Sequence, residues 1–228
     1  YLMQRWELEK NNVKVKNYIF TGSEIVEDNG DSGLKIKETI DCSTFFASRG
    51  WIDLRCMSGE PGEEYRESLD SLGELLAVSG FAKAVLMPNT KPAIQTKNEV
   101  QYVQSKASGW ITDLVIQAAA TKDCKGEDFT DILDLHHEGV FVYGDGTHPI
   151  SNPDRLLKIL QYLQKFGGLL FDQTYDPYLS LFGQMHEGVA STRLGMKGIP
   201  NLSEEIAVHR NLEILKYAGG KLHLQTIS

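Results

Sequence analysis

Cysteine is rare in this chain, and long apolar runs are missing. Its 228 residues include only three cysteines, Cys42, Cys56 and Cys124, which are widely spaced and form no Cys-x-x-Cys pair. The sequence therefore predicts neither a disulfide framework nor a cysteine-based zinc site. No stretch of about eighteen apolar residues could form a transmembrane helix, and the first residues lack the charged start and apolar stretch of a signal peptide. We expect a reduced, cytoplasmic setting and no membrane partner.

Positive charge is also in short supply. Lys and Arg number 23 against 31 Asp and Glu, which gives a net charge of −8. Such an acidic chain is poorly suited to nucleic acid or to an anionic membrane. The sequence contains no Gly-rich phosphate loop, no Ser-His-Asp arrangement and no basic aromatic stripe. We therefore expect proteins or small molecules as partners, and not nucleic acid.

Strand and helix patterns alternate along most of the chain. Strands are predicted near residues 50–55, 82–87, 113–118, 139–143, 168–172 and 221–225. Helices are predicted near residues 65–78, 98–107, 153–166 and 203–217. The third helix begins at the capping segment Ser151-Asn152-Pro153, and the fourth begins at Ser203. Repeated βα units of this kind predict a parallel sheet with right-handed crossovers.

Residues 50–62 form the most informative segment. Trp51-Ile52 leads into a predicted buried strand, and Glu60-Pro61-Gly62 is typical of the turn that follows. Because alternate side chains of a strand share a face, ligands at positions i and i+2 near its end could reach one metal ion. Those positions hold Arg55 and Met57, neither of which is a usual zinc ligand. Cys56 between them points to the opposite face, and we expect it in the core.

Together with the strand end Met87-Pro88-Asn89-Thr90, this segment resembles the dihydroorotases of the amidohydrolase superfamily, most closely the class I type found in multifunctional complexes. The family's first strand reads Asp-x-His-x-His-Leu-Arg-Glu-Pro-Gly. That pattern matches Asp53 and the Glu60-Pro61-Gly62 turn. It places Arg55 and Met57 in the two histidine positions, and Gly59 in the position of a substrate-binding arginine.

The resemblance extends over roughly 180 residues. Further matches lie at residues 120–122, 125–126, 144–146, 187–188, 191, 194–195 and 198–200. It implies a TIM-type (β/α)8 barrel over residues 46–228 and a partial N-terminal β-lobe over residues 1–45, with alternating strand patterns at residues 13–16 and 34–37. Only six barrel strands can be counted, where a complete barrel has eight. We therefore expect a fragment that lacks the last two strands and the catalytic aspartate they carry.

The resemblance also implies zinc at the C-terminal mouth of the barrel, where a metal-activated hydroxide would attack a ring amide. The remaining family ligands fall on residues that do not bind zinc. The metal-bridging acid falls on Gly144, the histidine after the fifth strand on Gln173, and the histidine after the sixth on Thr226. Arg55 adds a permanent cation where a dication would sit. We therefore expect no bound metal, no cofactor and no catalytic residue in this chain.

Several surviving polar residues have two readings. Asn89 occupies the family position that holds the substrate's carboxylate, but its place after Pro88 is also typical of a turn residue that caps the next segment. Asp145 could be a remnant acid near the metal or an ordinary Asp-Gly turn. We also consider an ion pair between Arg55 and Asp53 that fills the altered site. We expect His136 and His137 to face solvent and His223 to be structural.

Two functions from different classes follow. The first is a catalytically inactive dihydroorotase-like protein of pyrimidine biosynthesis, with a scaffold role beside aspartate carbamoyltransferase or in a homo-oligomer. The second is an active zinc-dependent dihydroorotase, or a related cyclic amidohydrolase, that hydrolyses dihydroorotate to N-carbamoyl-aspartate with non-standard ligands. A small-molecule sensor that uses the old pocket is a third reading, and it predicts ligand-dependent stabilisation without turnover.

Overall fold

The computed structural model describes residues 2–9, 12–21, 24–28, 35, 37–41 and 48–228. The chain divides into two compact units, Tyr1–Gly50 and Trp51–Ser228. The predicted domain boundary after residue 45 falls within residues 42–47, outside the described residues.

The first unit contains a four-stranded sheet. Its strands are β1 (Leu2–Glu9), β2 (Asn12–Thr21), β3 (Glu24–Glu27) and β4 (Thr39–Ile40), in the order β3-β2-β1-β4. β2 pairs antiparallel with both β1 and β3, and β4 pairs parallel with β1. The strand predicted at residues 13–16 lies within β2. The strand predicted at residues 34–37 is wrong at Lys35 and Lys37, which pair with no strand. Its other two residues lie outside the described residues. Most of the turn predicted at residues 28–31 lies outside them as well.

The second unit consists of βα units. Its strands are β5 (Trp51–Cys56), β6 (Phe81–Leu86), β7 (Asp113–Ala118), β8 (Val142–Tyr143), β9 (Leu169–Gln173), β10 (Met185–His186), β11 (Gly198–Ile199) and β12 (Leu222–Gln225). Its α-helices are α1 (Leu69–Val78), α2 (Lys97–Ala107), α3 (Ile132–His137), α4 (Pro153–Gln164), α5 (Val189–Leu194) and α6 (Leu202–Ala218). Six strands form one sheet in the order β12-β9-β8-β7-β6-β5. All neighbours in this sheet are parallel, as the βα pattern predicted.

Two side-chain hydrogen bonds show that this sheet is strongly curled. Arg55 on β5 bonds Gln173 on β9, and Gln225 on β12 donates to the carbonyl oxygen of Leu54 on β5 at 3.4 Å. In a flat sheet, β5 and β9 would lie about 19 Å apart at about 4.8 Å per strand spacing, and β5 and β12 still farther. The six strands therefore wrap around a common interior, as the strands of a partial barrel do.

The two faces of the curled sheet bury different side chains. On the outer face, Leu86, Tyr143 and Leu170 join the helices in one large apolar core, to which α4 contributes Leu156, Leu160 and Leu163. On the inner face, Val85, Val142 and Phe171 form a small cluster. The polar residues at the C-terminal ends of the strands lie beyond this cluster. The helices thus hold the sheet in place from outside, and the strand ends are left to form a site.

Helix caps account for the predicted helix starts that are right and for those that are wrong. α4 begins as expected, with the Asn152 side chain accepting from the backbone of Asp154 and Pro153 at the first helical position. The first predicted helix starts late, because Ser68 caps α1. Ser203 does not cap α6, whose cap position is Asn201. The buried hydroxyl of Ser203 instead donates to the carbonyl oxygen of Asp176 at 2.9 Å.

The histidine pair at the end of α3 also departs in part from expectation. His137 is exposed, as predicted. His136 is half-buried and stacks on Phe166, with ring centroids 4.0 Å apart. Its solvent-facing prediction is wrong because the last turn of α3 lies beside the end of α4, which offers an aromatic face. Within the described part of the chain, no helix is both long and apolar enough to cross a membrane.

Candidate functional site

The Glu-Pro-Gly turn connects the end of β5 to the neighbouring helices. Glu60 is only 4% exposed, and its carboxylate accepts the backbone N–H of Leu69 at 2.6 Å, at the start of α1. The same carboxylate accepts the hydroxyl of Tyr102 on α2. Charge-assisted hydrogen bonds of this kind are the stronger class. Glu60 therefore fixes the end of β5 to two helices at once.

The turn is also tied to the loop after β6. Lys91 donates its backbone N–H to the carbonyl oxygen of Pro61 at 3.0 Å. Gly62 has φ +100°, and a Cβ there would overlap the Lys91 carbonyl oxygen. At Gly59, in the position of the family's substrate-binding arginine, a Cβ would overlap the carbonyl oxygen of Glu63. The backbone at Gly59 therefore leaves no space for an arginine side chain.

Three of the positions on which the resemblance places the family's metal ligands are joined to one another by hydrogen bonds. The guanidinium of Arg55 donates to Oε1 of Gln173 at 3.1 Å. The Nε2 of Gln173 donates in turn to the hydroxyl of Thr226 at 2.5 Å. The chain of bonds runs from β5 across the curled sheet to the end of β12. We call Arg55, Gln173 and Thr226 the mouth triad.

The ion pair considered for Arg55 and Asp53 is not formed. Asp53 Oδ1 accepts the backbone N–H of Arg55 at 2.8 Å, while the Arg55 side chain reaches across the sheet to Gln173. Met57, on which the resemblance places the other histidine, follows the end of β5 and is exposed. Cys56 between them is buried in the core as expected, and burial together with the nearby Asp53 and Glu67 carboxylates raises the pKa of its thiol to about 12. Cys56 is therefore a neutral core thiol.

Gly144, on which the resemblance places the metal-bridging acid, leaves no room for a side chain. A Cβ on Gly144 would overlap the carbonyl oxygen of Phe171 and approach Nε2 of Gln117 to 2.6 Å. The side chain of Gln117 therefore fills the space beside Gly144. Gln117 is fully buried, and neither atom of its amide has a hydrogen-bond partner.

Sequence reasoning missed Gln117. The signal was present, because Gln117 interrupts the apolar run of β7, Leu114-Val115-Ile116, and a polar residue in a buried strand calls for an explanation.

Asn89 ties two loops together. Its Nδ2 donates to the carbonyl oxygen of Asp145 at 3.1 Å, and its Oδ1 accepts the backbone N–H of Thr147 at 2.9 Å. Asp145 is itself buried, and its carboxylate accepts the backbone N–H and the hydroxyl of Thr121 at 2.9 and 2.6 Å. Burial raises the pKa of Asp145, against the Thr121 hydrogen bonds that lower it. These bonds connect the loops after β6, β7 and β8, and the substrate-binding role of Asn89 stays a prediction.

A buried polar cluster around Asp172, the residue before Gln173 on β9, was not predicted from the sequence. Asp172 on β9 is 1% exposed and accepts from the backbone N–H of Ile150 at 3.0 Å and from Nδ2 of Asn211 at 2.6 Å. Arg210 donates to Asn211 Oδ1 and to the carbonyl oxygen of Ser151, both at 2.8 Å. Burial raises the pKa of Asp172 to about 6, although these donors and Arg210 oppose the rise. The cluster joins β9, α6 and the loop before α4.

The remaining predicted histidine, His223, lies on the inner face of β12. Its ring packs against Phe171, with centroids 4.4 Å apart. It therefore contributes to the packing of the barrel interior, in keeping with the structural role expected for it.

The residues at the mouth do not fit a zinc ion. Zinc in proteins is bound by imidazole, thiolate or carboxylate groups, whereas these positions offer a guanidinium, a thioether, a glycine, an amide and a hydroxyl. Across the described ranges, no group of three or more His, Cys, Asp or Glu side chains could hold a metal ion. A guanidinium has no lone pair for a metal and repels one by its charge.

Comparison with known proteins places this chain in a family. The family model described as dihydro-orotase-like matches residues 47–228. The dihydroorotase of Desulfotalea psychrophila is 31% identical over 179 residues, which cover 78% of this chain and 42% of that protein. The dihydroorotase of Thermoanaerobacter sp. is 33% identical over 202 residues, covering 87% of this chain and 47% of that protein. The chain thus spans about half the length of the curated relatives it matches.

Solved structures agree on the fold. The L-hydantoinase (dihydropyrimidinase) of Arthrobacter aurescens superposes with a TM-score of 0.69 at 16% identity, covering 96% of this chain and 50% of that one. The six parallel strands are therefore part of a TIM-type barrel of the amidohydrolase type. The resemblance identified from the residues is confirmed, and the chain belongs to the dihydroorotase-like family of amidohydrolases.

Proposed function

We propose that this chain is a dihydroorotase-like component of pyrimidine biosynthesis that has lost the family's hydrolytic chemistry and serves a structural role. The observation that carries the proposal is the mouth triad. Arg55, Gln173 and Thr226 are hydrogen-bonded to one another at positions that would otherwise hold a metal.

The loss is difficult to reverse by a small change. Replacement of Arg55 by histidine would restore one ligand and remove one positive charge. Gly144 would still have no room for a bridging acid, because Phe171 and Gln117 occupy the space around it. A functioning centre would need several concerted changes in the backbone and the side chains.

The frame of the barrel, by contrast, is held by the very residues that match the family's motif. Glu60 and Gly62 join the turn after β5 to its neighbours, and Asn89 joins the loops after β6 and β8. A barrel that keeps these connections between its loops but lacks the metal ligands can still present a stable surface to a partner. We propose aspartate carbamoyltransferase or a second copy of the protein as that partner, through the family's pyrimidine-pathway role.

The competing proposal is an active amidohydrolase with non-standard ligands. It requires donors from outside the described residues, since the mouth supplies none of the usual type. It also requires Arg55 to swing away from Gln173. The two proposals therefore differ in bound metal and in turnover.

The test is turnover of dihydroorotate and of N-carbamoyl-aspartate by the full-length protein after incubation with zinc, with an active dihydroorotase assayed in parallel. We expect no turnover in either direction. Sedimentation of the protein alone and with the aspartate carbamoyltransferase of the same organism tests the structural role, and we expect a larger particle in at least one case. Turnover proportional to protein concentration would overturn the loss of chemistry, and a monomer in both sedimentation runs would overturn the structural role.

A further inference from the structure

We propose that the interior of the barrel holds bound water next to its inner apolar cluster, with the side-chain amides of Gln117 and Gln225 as the anchors. The inner apolar cluster consists of Val85, Val142 and Phe171. The proposal goes beyond the proposed function, because these two amides take no part in the mouth triad. It gives a role to two buried polar residues that the family's motif does not explain.

Both glutamines lie on the inner face of the curled sheet. Val115 packs against the inner apolar cluster, and Gln117 lies two residues further along β7, on the same face. On β12, the ring of His223 packs against Phe171 of that cluster, and Gln225 follows it two residues later. The alternation of side chains along each strand therefore directs both amides into the barrel interior.

The two amides have hydrogen-bonding capacity that the protein does not use. Gln117 is 0% exposed, and within the described part of the chain neither its Oε1 nor its Nε2 has a partner. Gln225 is 3% exposed, and its Oε1 likewise has no partner there. Its Nε2 donates to the carbonyl oxygen of Leu54 at 3.4 Å, which is long for such a bond.

These atoms indicate a bound polar molecule in the barrel interior. Buried polar side-chain atoms nearly always have a hydrogen-bond partner, in the protein or in ordered water. A buried amide atom without one keeps the cost of its desolvation, whereas an ordered water that bridges two groups costs only the entropy of its immobilisation. Two buried amides on two strands that share one interior therefore favour a bound molecule between the strands.

The size and chemistry of the interior select water. The amide of Gln117 supplies one acceptor oxygen and one donor nitrogen, and Oε1 of Gln225 supplies a second acceptor. Buried water typically makes about three hydrogen bonds to polar groups of this kind. The Gln117 amide lies close against the backbone, since a Cβ on Gly144 would approach its Nε2 to 2.6 Å. Both glutamines are closed off from solvent, so a molecule as small as water reaches them more readily than an organic ligand.

The experiment counts the long-lived internal waters of the full-length protein by ¹⁷O magnetic relaxation dispersion, which detects water that exchanges more slowly than the protein tumbles. The variants Gln117→Leu and Gln225→Leu each replace one amide by an apolar side chain of similar volume. Gln161→Leu, at an exposed position of α4, is the matched control. The melting temperature of each sample establishes that the variant is folded.

We expect Gln117→Leu and Gln225→Leu each to lose about one long-lived water or more relative to wild type, and Gln161→Leu to lose none. An unchanged count in either folded inner variant would overturn the proposal. If an inner variant does not fold, a high-resolution crystal structure of the wild-type protein takes its place. Ordered water within about 3.2 Å of an amide atom of Gln117 is the expected result, and an amide that bonds only to protein groups would overturn the proposal.

Discussion

At the scale of single residues, what a motif position does depends on what its side chain touches. Glu60 matches the family's motif, and its carboxylate binds the Leu69 N–H and the Tyr102 hydroxyl and lies 3.7 Å from the Lys106 ammonium. Arg55 departs from the motif and reaches a second departure, Gln173, across the barrel. The two residues are thus compatible with each other, because a donor at one predicted ligand position meets an acceptor at another.

Gly62 provides a test of the frame at this scale. Gly62→Ala should lower the free energy of unfolding by about 2 kcal/mol or more, because φ +100° disfavours a side chain and a Cβ would overlap the Lys91 carbonyl oxygen. Gly109→Ala is the matched control, since a Cβ there meets no atom within 4 Å. Urea denaturation measures both. Equal effects of the two substitutions would show that the turn after β5 is not tightly joined to the loop after β6.

Glu60 offers a second test. Glu60→Leu leaves the buried N–H of Leu69 and the Tyr102 hydroxyl without their acceptor, so we expect a loss of about 3 kcal/mol in the free energy of unfolding. Glu74→Leu, at an exposed position of α1, should change it by no more than about 0.5 kcal/mol. Thermal and urea unfolding measure the free energy of unfolding of both variants. A loss below about 1 kcal/mol for Glu60→Leu would deny its role as a joint between β5, α1 and α2.

At the scale of elements, periodicity located the longer strands well and the short elements less well. β7 occupies residues 113–118 as predicted, whereas β8 is only Val142–Tyr143, because Gly139 and Val140 complete the C-terminal turns of α3 and bond back to it. β10, β11 and α5 lie in the loop after β9 and carry too few residues for a periodic signal. Local patterns report which face is buried, and pairing depends on contacts distant in sequence.

The Asp172 cluster that joins β9 to α6 predicts how the stability of the protein changes with pH. Burial raises the pKa of Asp172 to about 6, above the value of about 3.9 for an unfolded chain. A raised pKa means that the folded state binds the proton more tightly, so the stability contributed by Asp172 is present at low pH and is lost as pH rises through about 6.

The measurement is the difference in unfolding free energy between wild type and Asp172→Asn, from pH 5 to pH 7.5. It should fall by about 1 kcal/mol over this range as Asp172 ionises. The asparagine variant subtracts the titration of all other groups. A difference that stays constant, or that rises with pH, would mean that Asp172 is ionised in the folded protein throughout this range.

At the scale of the whole molecule, the resemblance identified the barrel and the residues alone predicted the parallel sheet, while the altered ligand positions stay a prediction. The sequence could not show that Arg55 would bond Gln173 rather than Asp53, because that choice depends on how far the sheet curls. The sequence marks Gln117 only as a polar residue in an apolar strand, and its position beside Gly144 is visible only in the structure. Contacts between residues on strands that are distant in sequence can be identified only from the three-dimensional structure.

The most direct test of the account is the zinc content of the full-length protein after incubation with excess zinc and exhaustive dialysis, measured by atomic spectroscopy beside an active dihydroorotase. The mouth triad predicts far less than one zinc per chain, with no change in melting temperature when zinc is added. One or more tightly held zinc ions per chain, with a matching rise in melting temperature, would contradict the loss of the metal centre.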